Sequence, residues 1–196
     1  MVEFFERKKV EKKKITVGHW LLIVLGVVMG FMVMMVLACW IWFSVTFVPY
    51  KKNEPDLRIS YPKTWMVQDI VATGVLVGFV SPQQNALDAV TESVNFSTYD
   101  MTKEEFSNDA YADLLIEQIL AVFPDFTFQE KVWFPVGGQS GHRMALTSVD
   151  PERVFIIYAF TIKEMGYNLV YMGEMADYQK QKTLLDAMAF MLRVKY

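Results

Sequence analysis

One cysteine, Cys39, occurs in the 196 residues, so no intramolecular disulfide can form and cysteine usage leaves the compartment open. Histidine is almost as scarce, with only His19 and His142. The hydrolase elbow GxSxG and the metalloprotease HExxH are both missing. The most informative gap is in charge. From Ile15 to Tyr50 there are 36 residues without Asp, Glu, Lys or Arg.

That run outlasts what a signal peptide needs, which is an apolar core of about 7 to 15 residues. It exceeds the roughly 20 residues that cross a bilayer. Val36-Leu-Ala-Cys39 has the look of a lipoprotein cleavage box, in which the cysteine becomes a lipidated N-terminus. Yet 24 uncharged residues precede Cys39, Trp40-Ile-Trp-Phe43 follows at once, and no polar tether comes next. The pattern predicts an uncleaved transmembrane helix over residues 15–48, with Cys39 as a small apolar residue inside it. A helix from Trp20 to Trp42 would run about 34 Å at about 1.5 Å per residue, enough to cross with modest tilt.

Six Lys/Arg lie within residues 7–14, and only Lys51 and Lys52 follow the span directly. By the positive-inside rule, residues 1–14 are a basic cytoplasmic segment and the C-terminal part lies outside. Trp20 marks the inner interface, and Trp40, Trp42 and Tyr50 mark the outer one. Gly26 and Gly30 form a GxxxG, with Gly18 and Ala38 eight residues to either side. Those steps keep the four near one helix face, where a second helix could approach closely. The plainer alternative is a lone anchor with incidental glycines.

Residues 1–14 carry a net charge of +3 and residues 51–196 a net charge of −6. An acidic outer part argues against nucleic acid, which needs a basic surface. It argues equally against docking on anionic lipid.

Residues 49–56, bounded by Pro49 and Pro55, read as a polar linker to a domain over residues 57–196. Strand signals appear at 57–60, 64–68, 75–80, 93–99, 126–134, 142–148, 153–162 and 167–173. Phe126, Phe128, Val132 and Phe134 share one parity, and Trp133 falls on the other, with Thr127, Gln129 and Lys131. A capping box, Thr102-Lys-Glu-Glu105, with Met101 and Phe106 as staple, predicts a helix running to about Phe123. Its apolar stripe is Phe106, Ala110, Leu114, Ile119 and Phe123. A second helix starts near Ala176, with Leu184, Leu185, Met188, Met191 and Leu192 on its apolar face. Strands, helix, strands, helix is the order of an α+β domain built on an antiparallel sheet.

Four stretches carry a resemblance. They are Ile59-Ser-Tyr-Pro-Lys-Thr-Trp65, Gly78-Phe-Val-Ser-Pro82, Glu92-Ser-Val-Asn-Phe96 followed by a helix, and Gly166-Tyr-Asn-Leu-Val-Tyr-Met-Gly-Glu174 followed by a helix. In these the outer domain resembles the PsbP-like superfamily, which includes the photosystem II extrinsic protein PsbP and the DcrB-like periplasmic proteins. The resemblance implies an α/β/α sandwich, opened by a β-hairpin at residues 59–65. It also implies roles in assembling or stabilising larger complexes.

Candidate chemistry is sparse. Gly137-Gly-Gln-Ser-Gly-His-Arg143 could bind an anion, but it precedes strand signals, whereas a phosphate loop opens a helix. A hairpin turn is the better reading. Glu104, Glu105, Asp109, Asp113 and Glu117 fit the solvated face of a helix better than a cation site. Trp133 is the best candidate for an exposed partner contact. Together these readings predict a non-enzymatic, single-pass accessory subunit of a membrane complex, without cofactor. It would sit in a bacterial inner membrane, with its N-terminus in the cytoplasm and its domain in the periplasm. Its partners would be the lipid bilayer and integral membrane subunits, or a second copy through the same helix. The alternative is a tethered module that binds a small molecule.

Overall fold

In the computed structural model, residues 17–53, 55–68, 70, 73–82, 91–102, 107–149 and 152–195 are described, with backbone alone at 17–19. The chain forms two compact units that divide in sequence between Val45 and Thr46. The first contains helix α1, Val17–Thr46, up to its last residue but one. Its stretch Trp20–Thr46 is long and apolar enough to cross a membrane. Every side chain from Trp20 to Trp42 is exposed, so apolar atoms face outward all round the helix.

No linker follows. Residues 49–56, expected to be a tether, contain most of strand β1 (Phe47–Lys52), which pairs antiparallel with β2 (Asp56–Pro62). Pro49 did not prevent this, because β1 is an edge strand and its missing N–H can face outward. The second unit contains two sheets. The smaller has the order β1-β2-β10, with β10 at Arg193–Lys195.

The larger sheet is antiparallel throughout, in the order β3-β4-β5-β9-β8-β7-β6. Its strands are β3 (Met66–Gln68), β4 (Val75–Val80), β5 (Ser93–Asp100), β6 (Phe126–Trp133), β7 (Gly141–Val149), β8 (Glu152–Ile162) and β9 (Met165–Glu174). The expected hairpin at residues 59–65 is therefore split between sheets: β2 pairs with β1 and β10, and β3 pairs with β4.

Helix α2 (Asn108–Val122) covers one face of this sheet and α3 (Met175–Met191) the other. Under α2 lie Met144, Leu146, Phe155, Ile157 and Ala159, with Tyr111, Ala112 and Leu115 facing them from the helix. Gly166 clears the space for Tyr111, since a Cβ there would stand 2.5 Å from the ring. The buried stripe is thus centred on Tyr111 and Leu115, one position on from Ala110 and Leu114. The N-cap also differs. Ser107 accepts a hydrogen bond from the Ala110 N–H at 3.1 Å, whereas the Thr102 N–H donates to the Asp100 carboxylate ahead of the helix. Glu104, Glu105 and Phe106 lie outside the described residues.

On the opposite face, Leu185, Met188, Ala189 and Leu192 of the α3 region are buried. Beside them the small sheet covers β4, where Tyr61 stacks on Phe79 at 4.8 Å and Tyr50 meets it edge-on at 5.9 Å. The layers are helix, sheet, and helix with small sheet: an α/β/α sandwich of α+β class.

Strand β6 departs from simple alternation. Phe128 pairs with Leu146, and Glu130 with the adjacent Ala145, so Gln129 is the extra residue of a β-bulge. Phe126 and Phe128 therefore face α2, whereas Glu130, Val132 and Phe134 face α3. The parity that grouped Phe128 with Val132 breaks at the bulge. The same slip puts Trp133 and Lys131 beside Phe128 rather than beside Thr127.

Candidate functional site

Candidate residues of the first unit lie along α1. Beyond the adjoining backbone of their own helix, Gly26 and Gly30 have no atom within 4 Å of where a Cβ would stand, so both are open to a neighbour. Ala38, Trp20, Trp40 and Trp42 are exposed, and Gly18 falls where only backbone is described. Tyr50 does not extend this helix. It lies in β1 and packs against Phe79, because the chain turns to strand at Phe47.

In the second unit, Trp133 stands at the β6 edge with 65% of its surface exposed. Its indole N–H donates to Ser140 Oγ at 3.2 Å, which fixes the ring against the β6–β7 connection. Beside it, Lys131 Nζ lies 2.9 Å from Asp109 and 2.6 Å from Asp113 on α2, and His142 Nε2 is 3.5 Å from Asp109. The hydrogen-bonded Lys131 ammonium holds the Asp109 carboxyl below its ordinary value. The acidic helix face is therefore partly neutralised by a strand lysine. Among the described residues no group of three or more His, Cys, Asp or Glu could hold a metal ion.

The glycine-rich loop is a turn. Gly137 and Gly138 adopt φ of +63° and +81°, and Val136 bridges Gln139. The Gly137 N–H donates to the Ala189 carbonyl at 2.9 Å, satisfying one of the last acceptors of α3. A Cβ at Gly137 would stand 2.7 Å from the Leu192 carbonyl oxygen. This loop ties the β6–β7 hairpin to the end of α3.

Sequence reasoning did not group the polar cluster beneath α3. Arg143 reaches Glu130 at 3.1 Å and Asp186 at 3.4 Å. Tyr158 donates its hydroxyl to Asp186 at 2.7 Å, and Lys182 Nζ lies 2.6 Å from the other Asp186 oxygen. Burial pushes the Tyr158 hydroxyl up strongly, and the Asp186 charge and hydrogen bond push it further, so it stays protonated as the donor. Next to this cluster a groove of about 580 Å³ opens between Gln129 and Glu130 of β6, Thr147 of β7, and Tyr178 and Gln179 of α3. In the sequence Arg143 stood out only as the end of the glycine-rich stretch over residues 137–143. Its partners are too far along the chain for spacing to reveal.

No protein-family model matches the chain, and no curated protein matches it. Solved structures do. A cyanobacterial PsbP (CyanoP) from Synechocystis sp. PCC 6803 superposes with a TM-score of 0.58 at 14% identity, covering 77% of this chain and 94% of that one. The Ran-binding protein Mog1p of Saccharomyces cerevisiae gives 0.56 at 10%, covering 76% and 96%. LpqN of Mycobacterium tuberculosis, involved in cell envelope biogenesis, gives 0.53 at 11%, covering 76% and 91%. The unit that follows α1 has the PsbP-like fold.

Proposed function

We propose that this chain is a non-catalytic, single-pass membrane protein whose PsbP-like domain serves as an accessory subunit of a larger membrane complex. In this reading α1 crosses a bacterial inner membrane, residues 1–14 stay in the cytoplasm and the domain faces the periplasm. The observation that carries it is α1 itself. It is apolar on all sides, and Gly26 and Gly30 leave its backbone open to a close neighbour. The exposed, hydrogen-bonded Trp133 supports a further contact from the domain, since rigid aromatic rings are frequent interface anchors. The test is gentle detergent extraction followed by sizing and mass spectrometry of what migrates with the chain. A larger species with stoichiometric membrane partners is expected, and a bare monomer at all detergent strengths would refute the proposal.

A second reading is favoured by the groove beside α3. At about 580 Å³ it is within the usual range for small-molecule sites. A thermal shift against a metabolite panel tests it. A stabilising hit lost in Thr147→Trp supports a ligand, and silence across the panel removes this reading.

A further inference from the structure

The outer domain carries more acid than base, yet its bases are not spread evenly. In the small sheet, Lys51 of β1 stands directly opposite Arg58 of β2, and Arg58 directly opposite Arg193 of β10. Two positions along β10, Lys195 faces Asp56. Leu57 and Ile59 are buried, so by strand alternation Asp56 and Arg58 point away from the core. Lys51, Arg58, Arg193 and Lys195 are all exposed. Three cations thus run side by side across three strands.

Like charges opposite one another on neighbouring strands oppose the pairing. The small sheet carries this cost at two successive pairs. Asp56 relieves little of it, since its Oδ1 is 3.7 Å from Arg58 Nε. Among the described residues, no carboxylate lies within ion-pair distance of Lys51, Arg193 or Lys195. Glu54, between β1 and β2 in the sequence, lies outside the described residues. Arg193 is held in place, because its Nη1 donates to the carbonyls of Phe190 at 3.1 Å and Leu192 at 2.8 Å. Asp56, Arg58, Arg193 and Lys195 line a depression of about 250 Å³. That is room for a phosphate group and several waters of roughly 30 Å³ each.

The chain itself limits where the matching anion can be. Lys51 lies five residues beyond Thr46, the last residue of α1. At about 3.3 Å per strand residue, that is at most about 17 Å of chain, whatever the angle between the two units. We infer that Lys51, Arg58, Arg193 and Lys195 form a docking surface for the phosphate-bearing headgroups of anionic phospholipid in the membrane that α1 crosses. This rests on reading α1 as a span. It also reverses the expectation drawn from net charge. The net charge of −6 is a sum over residues 51–196, whereas screening confines a headgroup to charges within about 8 Å.

The test uses the full chain in nanodiscs of phosphatidylcholine alone or with phosphatidylglycerol. The rate at which an amine-reactive reagent acylates each lysine is read by mass spectrometry, with exposed Lys163 as internal reference. Acylation of Lys51 and Lys195 is expected to fall roughly three- to five-fold in the anionic discs, and high salt is expected to restore it. The double variant Arg58→Gln/Arg193→Gln should make Lys51 indifferent to lipid charge. Equal rates in both kinds of disc would overturn the inference. So would protection by inorganic phosphate in phosphatidylcholine discs with none from phosphatidylglycerol, which would assign the row to a free anion. A carbonate wash separates the two readings. A chain that washes out of the discs defeats the span, whereas a retained chain without lipid protection defeats only the docking surface.

Discussion

Beneath α2 the seven-stranded sheet presents Met144, Leu146, Phe155, Ile157 and Ala159, a continuous apolar layer closed by Tyr111 and Leu115. Beneath α3 the same strands present Arg143 and Tyr158, bonded to Glu130 and Asp186, with an open groove alongside. Coverage accounts for the difference. On the α2 side Asn168 donates to the Tyr111 hydroxyl at 2.8 Å, so this buried polar pair satisfies itself inside the apolar layer. Burial pushes that hydroxyl up to about 12. On the other side α3 and the small sheet share the face, and the β6–β7–β8 end is left uncovered. The ion network sits at that margin and fastens α3 where apolar packing stops. One face is built for cohesion, and the other keeps surface free for contact.

Substitutions at four positions test this contrast. Ile157→Ala opens a hole in the closed face and should cost about 2 to 5 kcal/mol, read by urea unfolding of the detergent-solubilised chain. Asp186→Ala leaves Arg143 and the Tyr158 hydroxyl without their shared acceptor and should cost about 1 to 3 kcal/mol, with Asp186→Asn milder. If the second loss equals or exceeds the first, the two faces do not differ as described. Ser107→Ala removes the cap of α2 and should cost about 1 kcal/mol.

The smallest effect is expected at the exposed rim, from Lys131→Gln. Stability should hardly move, because this pair is solvated. The Asp109 carboxyl, now held low by Lys131, should return towards its ordinary value in an NMR titration. The sign is set by that lowering. The Asp109–Lys131 attraction is fully present above the ordinary carboxylate range and fades as pH falls through the lowered value. An Asp109 titration unchanged by the substitution would show that the pair carries no electrostatic weight.

Much of the fold was legible because it is local. Alternation marked the strands of the large sheet, and the Leu185–Met188–Leu192 spacing marked α3. What escaped was set by partners far along the chain. Residues 49–56 look like a tether until β2 and β10 pair beside them. Thr102 heads a good capping pattern, yet Ser107 does the capping, and the Asn108 side chain beside it accepts a hydrogen bond from the Thr161 N–H of β8 at 2.7 Å. Arg143 looked like the end of a loop motif, and its meaning comes from Asp186, 43 positions away. Net charge hides an arrangement for a related reason: a sum over residues does not reveal that Lys51, Arg58 and Arg193 are neighbours.

Gln129 has a consequence of its own. Strand β6 forms the rim of the large sheet and shows Phe128, Val132 and Trp133 to solvent, a combination that invites another chain to add on. The extra residue kinks this rim and interrupts its row of free N–H and C=O groups. Deleting Gln129 would bring Phe128 and Glu130 into ordinary succession without moving either to the other face. The expected phenotype of that deletion is a well-folded chain that gels, its straightened border recruiting copies of itself.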